Sequence, residues 1–515
     1  MATQAAITIL RNGGNAADAA IACNAVLAVT QFASSGLGGD LFLLYYDAKR
    51  QAVSSLNASG PAPAALTLDA LQALTTRECP EPCFVAETPH ARHPLCITVP
   101  GAVDGWRQLH ERHGSAGWES LFSDAIHYAC NGFAVQPVFL AKWKKYMPAL
   151  SQWRASEYVD GLMGNIGYLP ALGRILAGIA SHGARWFYEG DCAERIVADV
   201  VQSGGLLTLG DLAHYKAEWC TPIAHPYRDA MVWECPPNGQ GLVALHALAI
   251  LESFDLKQFA WNSPQRLHLQ VEALRIALAT ARQHLGDERP NHEEIKALFA
   301  PANLHRLAGL INPQQARQPP GWGVPFSPTN TVHHTVVDCE GNACSLMSSL
   351  FMSFGTGIAT NGILMQNRGA CFSLQTGHPN AAAGGKRPYH TIIPCILTRG
   401  DQLLATVGVT GGYMQPQGHV QFICGLVDDE ASPQELVERP RFCLDNENQG
   451  CSLLLEDGLP IGCGDVLAHL GHHTAWLTGS SRTTFGDGHL IVRDPDSGCL
   501  LGGTDPRKDG AAGCF

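Results

Sequence analysis

Two apolar, β-branched runs set around a polar turn leave this chain little choice between residues 329 and 347. Thr329-Asn-Thr-Val-His-His-Thr-Val-Val337 leads into Asp338-Cys-Glu-Gly-Asn342, and Ala343-Cys-Ser-Leu-Met347 sets off again. Such runs around an Asp/Gly/Asn-rich turn predict a β-hairpin. Thr331 lies at its start. A threonine hydroxyl is a weak nucleophile unless a base is within hydrogen-bond reach, and one such base is the threonine's own α-amine. A free α-amine has a pKa of roughly 7.7–8, so it accepts a proton near neutral pH. Thr331 has no free amine as translated, and this chemistry therefore needs a cut between Asn330 and Thr331. Spacing alone favours the plainer reading, a threonine that opens a buried strand.

Composition excludes several classes. The 515 residues are enough for roughly three domains. With 46% hydrophobic and 16% charged residues, the chain has the make-up of a soluble globular protein. A net charge of −12 with no Lys/Arg cluster argues against a nucleic-acid partner, which demands a positive face. The cysteines are scattered, and Cys23, Cys96, Cys130, Cys344, Cys395 and Cys424 sit beside apolar residues, as buried free thiols in a reducing compartment would. Cys79-x3-Cys83 followed by His90 and His93 departs from zinc-finger spacing. His110-Glu-Arg-His113 lacks the i, i+4 histidines of a zinc-protease helix and reads as a solvated helix end. No metal and no organic cofactor is expected. Met1 leads into helix-like sequence with no basic-then-apolar leader, and Ala16 to Val29 is short and carries Asp18 and Asn24. The expectation is no signal peptide, no membrane span and a cytoplasmic location.

Along the chain, Ala2, Ala5, Ala6, Ile9 and Leu10 recur at helical spacing until Asn12-Gly13-Gly14. Asn15 is placed to cap a second helix with small residues at Ala16, Ala19, Ala20 and Cys23. Gly36-Leu-Gly-Gly39 turns into a strand from Leu41 to Tyr46. It lacks the third glycine and the strand-before-helix order of a dinucleotide site. Residues 100 to about 310 read as mainly helical scaffold. Val103–His113, Gly241–Leu251 and Glu272–Arg282 are its amphipathic helices, and Asp229–Trp233 is a short strand. Asn312 to Pro328, rich in Pro, Gly and Gln, reads as an exposed tether.

The segment from Thr331 to Ala343 resembles the start of the small subunit of gamma-glutamyltranspeptidases, which are self-cleaving N-terminal-nucleophile hydrolases. The resemblance continues through Phe354-Gly-Thr-Gly357, Gly362-Ile-Leu364, Gly384-Gly-Lys-Arg-Pro388, Gly411-Gly412 and Asp505-Pro-Arg507. Upstream it includes Gly13-Gly-Asn-Ala-Ala-Asp-Ala-Ala20, Gly36-Leu-Gly-Gly-Asp40, Val99-Pro-Gly101 and Pro236-Pro-Asn238, so it spans nearly the whole chain in family order. The resemblance implies an α+β fold, the four-layer αββα sandwich of N-terminal-nucleophile hydrolases. Residues 1–330 would be a large subunit and 331–515 a small one, cut from one precursor and interleaved in one domain. It implies Thr331 as nucleophile, Ser349 as the hydroxyl that hydrogen-bonds it, and Gly411 and Gly412 as the oxyanion loop. Relatives usually have a strand ahead of the first helix, where this chain begins.

The substrate loops depart from the family pattern. No arginine occurs between Arg50 and Arg77, where the family holds a substrate α-carboxylate. The family's Asn-Asn-Gln-Met-Asp-Asp-Phe is Gln366-Asn-Arg-Gly-Ala-Cys-Phe372 here, so Cys371 replaces an ammonium-binding aspartate and Arg368 a glutamine. His390 and Thr391, after Tyr389, replace paired serines, and Phe351 replaces a substrate-binding asparagine. This pattern is similar to the gamma-glutamyltranspeptidase-like subgroup that includes oxamate amidohydrolases. A pocket with Arg368 and no acid suits a small amide whose acyl group carries a carboxylate, because arginine grips carboxylates with two parallel hydrogen bonds. Arg368 has one other reading, a structural pair with a carboxylate such as Asp505. A glutathione hydrolase or transferase, and an unprocessed non-catalytic relative, are the alternative functions.

Overall fold

The computed structural model describes residues 1–74, 84–88, 90–150, 162–163, 165–287, 292–317, 329–445 and 452–515. Two antiparallel sheets carry it. In chain order their strands are β1 (Asp40–Asp47), β2 (Ala52–Ala58), β3 (Glu218–Cys220), β4 (Ile223–Tyr227), β5 (Ala230–Glu234), β6 (Thr329–Val337), β7 (Ala343–Met352), β8 (Cys395–Arg399), β9 (Gln402–Val409), β10 (Gly488–Arg493) and β11 (Leu500–Thr504). The first sheet runs β3-β2-β1-β7-β6 and the second β11-β10-β9-β8-β5-β4. Helices α1 (Ala2–Arg11), α2 (Ala16–Thr30) and α3 (Ala102–His113) cover the outer face of the first sheet. Helices α4 (Gly241–Leu251), α5 (Pro264–His284) and α6 (Met414–Val427) cover that of the second. The result is the expected α+β sandwich, helix-sheet-sheet-helix. Both sheets mix strands from before and after residue 330.

Strand periodicity explains the layers. Leu41, Leu43 and Tyr45 of β1 enter the core under α2, while Phe42, Leu44 and Tyr46 enter the core between the sheets with Met347 and Ile396. Both faces are apolar because both are covered, each such side chain contributing about 1.5–3 kcal/mol on burial. The second helix begins as read: Asn15 and Asp18 form a capping box. Its Ala16 N–H donates to Asp338 Oδ2 at 3.0 Å, which ties the helix N-terminus to the hairpin turn.

Some expectations change. Helix α4 is buried on all sides instead of amphipathic, because strands and helices of the second layer enclose it. Cys130 is exposed, while Cys23, Cys96, Cys344, Cys395 and Cys424 are buried, and every cysteine among the described residues is a free thiol. The helix does end at His113 with Glu111 and Arg112 exposed, but His113 itself is half-buried: it stacks on Tyr45 at 4.0 Å, and burial pushes it down to about 4. The tether opens exposed, as read, over Asn312 to Gln315, but it is anchored at both ends of that stretch. Ala316 N–H donates to Leu470 O at 2.6 Å, Arg317 N–H to Glu272 at 3.1 Å, and His268 Nε2 lies 2.9 Å from Asn312 O. Residues 318–328, and Cys79 and Cys83 of the rejected zinc pattern, lie outside the described residues.

Candidate active site

The hairpin forms as its sequence dictates, and the irregularity in it matters most. Strands β6 and β7 pair Ser348 with Val332 and then Phe351 with Asn330, so Ser349 and Leu350 together oppose Thr331. This is a β-bulge, which re-aims side chains. It carries Phe351 to a φ of +74° and turns Ser349 toward the Asn330–Thr331 bond. Ser349 Oγ donates to the Asn330 carbonyl at 2.8 Å and accepts the Phe351 N–H at 2.9 Å. The Thr331 hydroxyl donates to Ser349 Oγ at 3.3 Å, a long hydrogen bond. Thr331, Asn330 and Ser349 are all buried.

Thr331 points into the gap between the sheets. The Thr335 and Thr406 hydroxyls meet across that gap at 2.6 Å, and His333 lies so close to Gly408 that a Cβ there would come within 2.4 Å of its ring. Thr331 shares the face of β6 that carries His333 and Thr335, and β9 leads from Thr406 and Gly408 to Thr410. The backbone then turns through Gly411 and Gly412, at φ +109° and +62°, where glycine is favoured. Among the described residues, neither glycine N–H has an acceptor. Thr410 is held by a charged group that sequence reading missed. Lys508 Nζ donates to Thr410 Oγ1 at 2.9 Å and to Asp487 Oδ1 at 2.5 Å, and the Thr410 hydroxyl also donates to Asp487. Burial alone would raise the Asp487 pKa, but Lys508 holds it well below the usual carboxylate range. Lys142, desolvated and beside Lys508, falls to about 7. The only sequence signal for Lys508 is its place after Asp505-Pro-Arg507.

Cys371, Thr391 and Phe351 gather around Arg368, which lies with His390 beside Asp40. Arg368 is fully buried, with its guanidinium over the Phe351 ring at 4.7 Å. Its Nη1 donates to Thr391 Oγ1 at 2.9 Å and approaches Cys371 Sγ at 3.7 Å, while among the described residues Nε and Nη2 have no hydrogen-bond partner. Those two nitrogens form the side of the guanidinium that clasps a carboxylate. Asp40 Oδ2 is 3.9 Å from Nε, too far for a hydrogen bond. Its oxygens are taken by Gly60 N–H, the Gln366 side chain and His390 Nε2 at 3.0, 2.8 and 3.0 Å. Burial and Arg368 push His390 down to about 4, and burial pushes the Cys371 thiol up to about 11 against the pull of Arg368. Asp40 closes the Gly36-Leu-Gly-Gly motif, yet nothing local assigns it this role.

One reading changes. Asp505 is not the partner of Arg368: Arg441 and Arg507 bind it, and Gly488 N–H donates to it at 2.9 Å. Tyr389 lies near Cys371 and donates its hydroxyl to Gln240 Oε1 at 2.9 Å. Gln240 in turn donates to the carbonyls of Thr391 and Gly412 at 2.6 and 2.8 Å, fastening the two loops together.

Comparison with known proteins follows this geometry. A family model described as gamma-glutamyltranspeptidase matches residues 2–515. The chain is 31% identical to the glutathione hydrolase-like YwrD proenzyme of Bacillus subtilis, covering 99% of this chain and 96% of that protein. It is 33% identical to the oxamate amidohydrolase proenzyme of Klebsiella pneumoniae, with 99% and 96% covered. Its fold is similar to the crystal structure of cephalosporin acylase from Bacillus halodurans at a TM-score of 0.88 and 34% identity, over 99% of this chain and 93% of that one.

Proposed function

We propose, from the premise that this chain belongs to the gamma-glutamyltranspeptidase family, that it cuts itself between Asn330 and Thr331 and then works as an amidohydrolase or acyltransferase on small carboxylate-bearing amides. The position of Ser349 Oγ, shared between the Thr331 hydroxyl and the Asn330 carbonyl, carries this reading. Thr331 Oγ adds to the Asn330 carbonyl carbon, and the carbonyl oxygen takes the developing charge against the Ser349 hydroxyl. The C–N bond breaks, the nitrogen keeps the proton given up by the hydroxyl, and an ester is left. Water hydrolyses the ester, giving a large subunit ending at Asn330 and a small one beginning with a free Thr331 amine. That amine then serves as base for Thr331 Oγ in turnover. The Gly411 and Gly412 N–H groups, fixed dipoles without other partners, suit the oxyanion. Water or an amine receives the acyl group.

The free side of Arg368 supports the substrate class. Asn330 is the ladder partner of Phe351, which lies under the Arg368 guanidinium. Departure of the Asn330 end therefore opens a path from Thr331 toward Arg368. His390, pushed down to about 4, brings no second positive charge there at neutral pH. The cluster is not free of acid, since Asp40 stands 3.9 Å from Arg368 Nε, but Gly60, Gln366 and His390 take its oxygens, which leaves Arg368 Nε and Nη2 to clasp a terminal acyl carboxylate. The relative named oxamate amidohydrolase is of that class by name.

The test is an intact-mass spectrum of the purified protein beside Thr331→Ala. Two fragments are expected from the natural chain and one uncut chain from the variant; two fragments from T331A would falsify the reading. Rates on oxamate-type amides and on glutathione then separate the acid-amide reading from a glutathione hydrolase.

A further inference from the structure

Three side chains that the proposed chemistry does not use meet beneath the second sheet. Glu234 ends β5, Cys395 begins β8 as its ladder partner, and His419 reaches down from α6. All three are fully buried, and one ligand atom from each lies within 4.8 Å of the others. His419 Nδ1 is 2.7 Å from Glu234 Oε1, while Glu234 Oε2 and His419 Nε2 meet the hydrogen-bond geometry with no group among the described residues. The Cys395 thiol also lies against the Glu234 carboxylate, so thiol, imidazole and carboxylate face one another in a dry core.

We propose that Glu234, Cys395 and His419 form a structural site for a divalent metal ion of the zinc class. Thiolate, imidazole and carboxylate are the donor set that zinc takes. Two-oxygen coordination by Glu234 would supply the fourth position. Charge closes as well: one thiolate and one carboxylate balance one divalent cation, leaving a neutral cluster where burial punishes any net charge. Without the ion, burial raises the Cys395 thiol well above its usual range. It also raises Glu234 to about 6, against the pull of His419 and Cys395. On binding, the metal displaces the Cys395 thiol proton, and His419 ligates as a neutral imidazole with its ring proton on the other nitrogen. Zinc bonds of about 2.0–2.2 Å set tetrahedral N···O separations near 3.4 Å, so the present contact would open by roughly 0.7 Å.

A second cluster lacks this argument. His268, Glu272 and His472 also come together, but Arg275 and the Arg317 N–H already bind both Glu272 oxygens. Those residues anchor the start of the tether. The first cluster instead joins the sheet to the helix that begins two residues after Gly412, so an ion there would pin the oxyanion loop from behind.

The experiment uses untagged, full-length protein. Elemental mass spectrometry should find about one zinc per chain, and refolding in cobalt(II) should produce a thiolate-to-cobalt absorption band. Cys395→Ser, or Glu234→Gln if that chain does not fold, should lose the metal and the band, whereas His472→Asn keeps both. Natural protein with no stoichiometric zinc and no cobalt band overturns the proposal. So does a C395S or E234Q chain that retains them.

Discussion

Replacing Ser349 with alanine separates two roles that one hydroxyl fills. Ser349 Oγ donates to the Asn330 carbonyl at 2.8 Å and accepts the Phe351 N–H at 2.9 Å. As Thr331 attacks, negative charge grows on that carbonyl oxygen, and loss of one preorganised donor costs ~3–4 kcal/mol, or 10²–10³ in rate. The second loss is felt in the folded state, where the buried Phe351 N–H is left without its acceptor at a cost of about 1–3 kcal/mol. The first appears in cleavage kinetics and the second in unfolding. Freshly synthesised S349A followed by intact mass should therefore stay uncut while the natural chain matures. A modest fall in denaturation midpoint should accompany it. Ser349→Thr restores a hydroxyl and should recover cleavage to within about tenfold, near 1.4 kcal/mol. A folded S349A chain that matures at the natural rate would refute the assignment of Ser349 to the scissile carbonyl.

Other perturbations reach different parts of the structure. Arg368→Met keeps the apolar stem over Phe351 but removes the free side of the guanidinium. Catalytic efficiency on carboxylate-bearing amides should drop ~10²-fold, with neutral amides of the same size and self-cleavage unaffected, as steady-state kinetics will show. Burial pushes His334 from its ordinary 6.5 down to about 4, so between those values the unfolded chain holds the extra proton. Stability from this group is whole above about 6.5, falls by on the order of 3 kcal/mol as pH drops toward 4, and changes no further below. His334→Gln can still donate to the Ala20 carbonyl, which His334 Nε2 meets at 3.0 Å, but it cannot take up that proton. Urea midpoints measured across that window should be flatter for the variant, and equal slopes would contradict the assignment. Asp505→Asn leaves Arg441 and Arg507 short of a buried counter-charge and should cost about 3–5 kcal/mol. Thermal unfolding measures that loss, while activity per folded molecule should hold, because these arginines brace Glu456 and the Val437 carbonyl.

Periodicity and turn chemistry made much of the scaffold readable in advance. The 3.6-residue spacing from Ala2 to Leu10, the Asn15 cap, the apolar run from Leu41 to Tyr46 and the hairpin about Asp338 all produce what they announce, because each depends on neighbours a few residues apart. Arg368, Cys371, His390 and Thr391 were legible as a group by their departure from a family pattern, and they do converge. Asp40, beside Arg368 and His390, was quoted in a motif and given no task, and Asp505 was offered as a partner it is not. Helix α4 shows the same limit, since its sequence cannot tell one apolar stripe from burial on all sides.

Approach between distant segments was settled only in three dimensions. Ser349 faces the Asn330 carbonyl because a bulge adds a residue to β7, and no residue type demands that bulge. Lys508 meets Thr410, and His419 meets Glu234, because two sheets and a helix layer pack at one particular register. Local spacing fixes which way a side chain points along its own element. What it points at depends on the whole set of buried contacts, which no short stretch of chain contains.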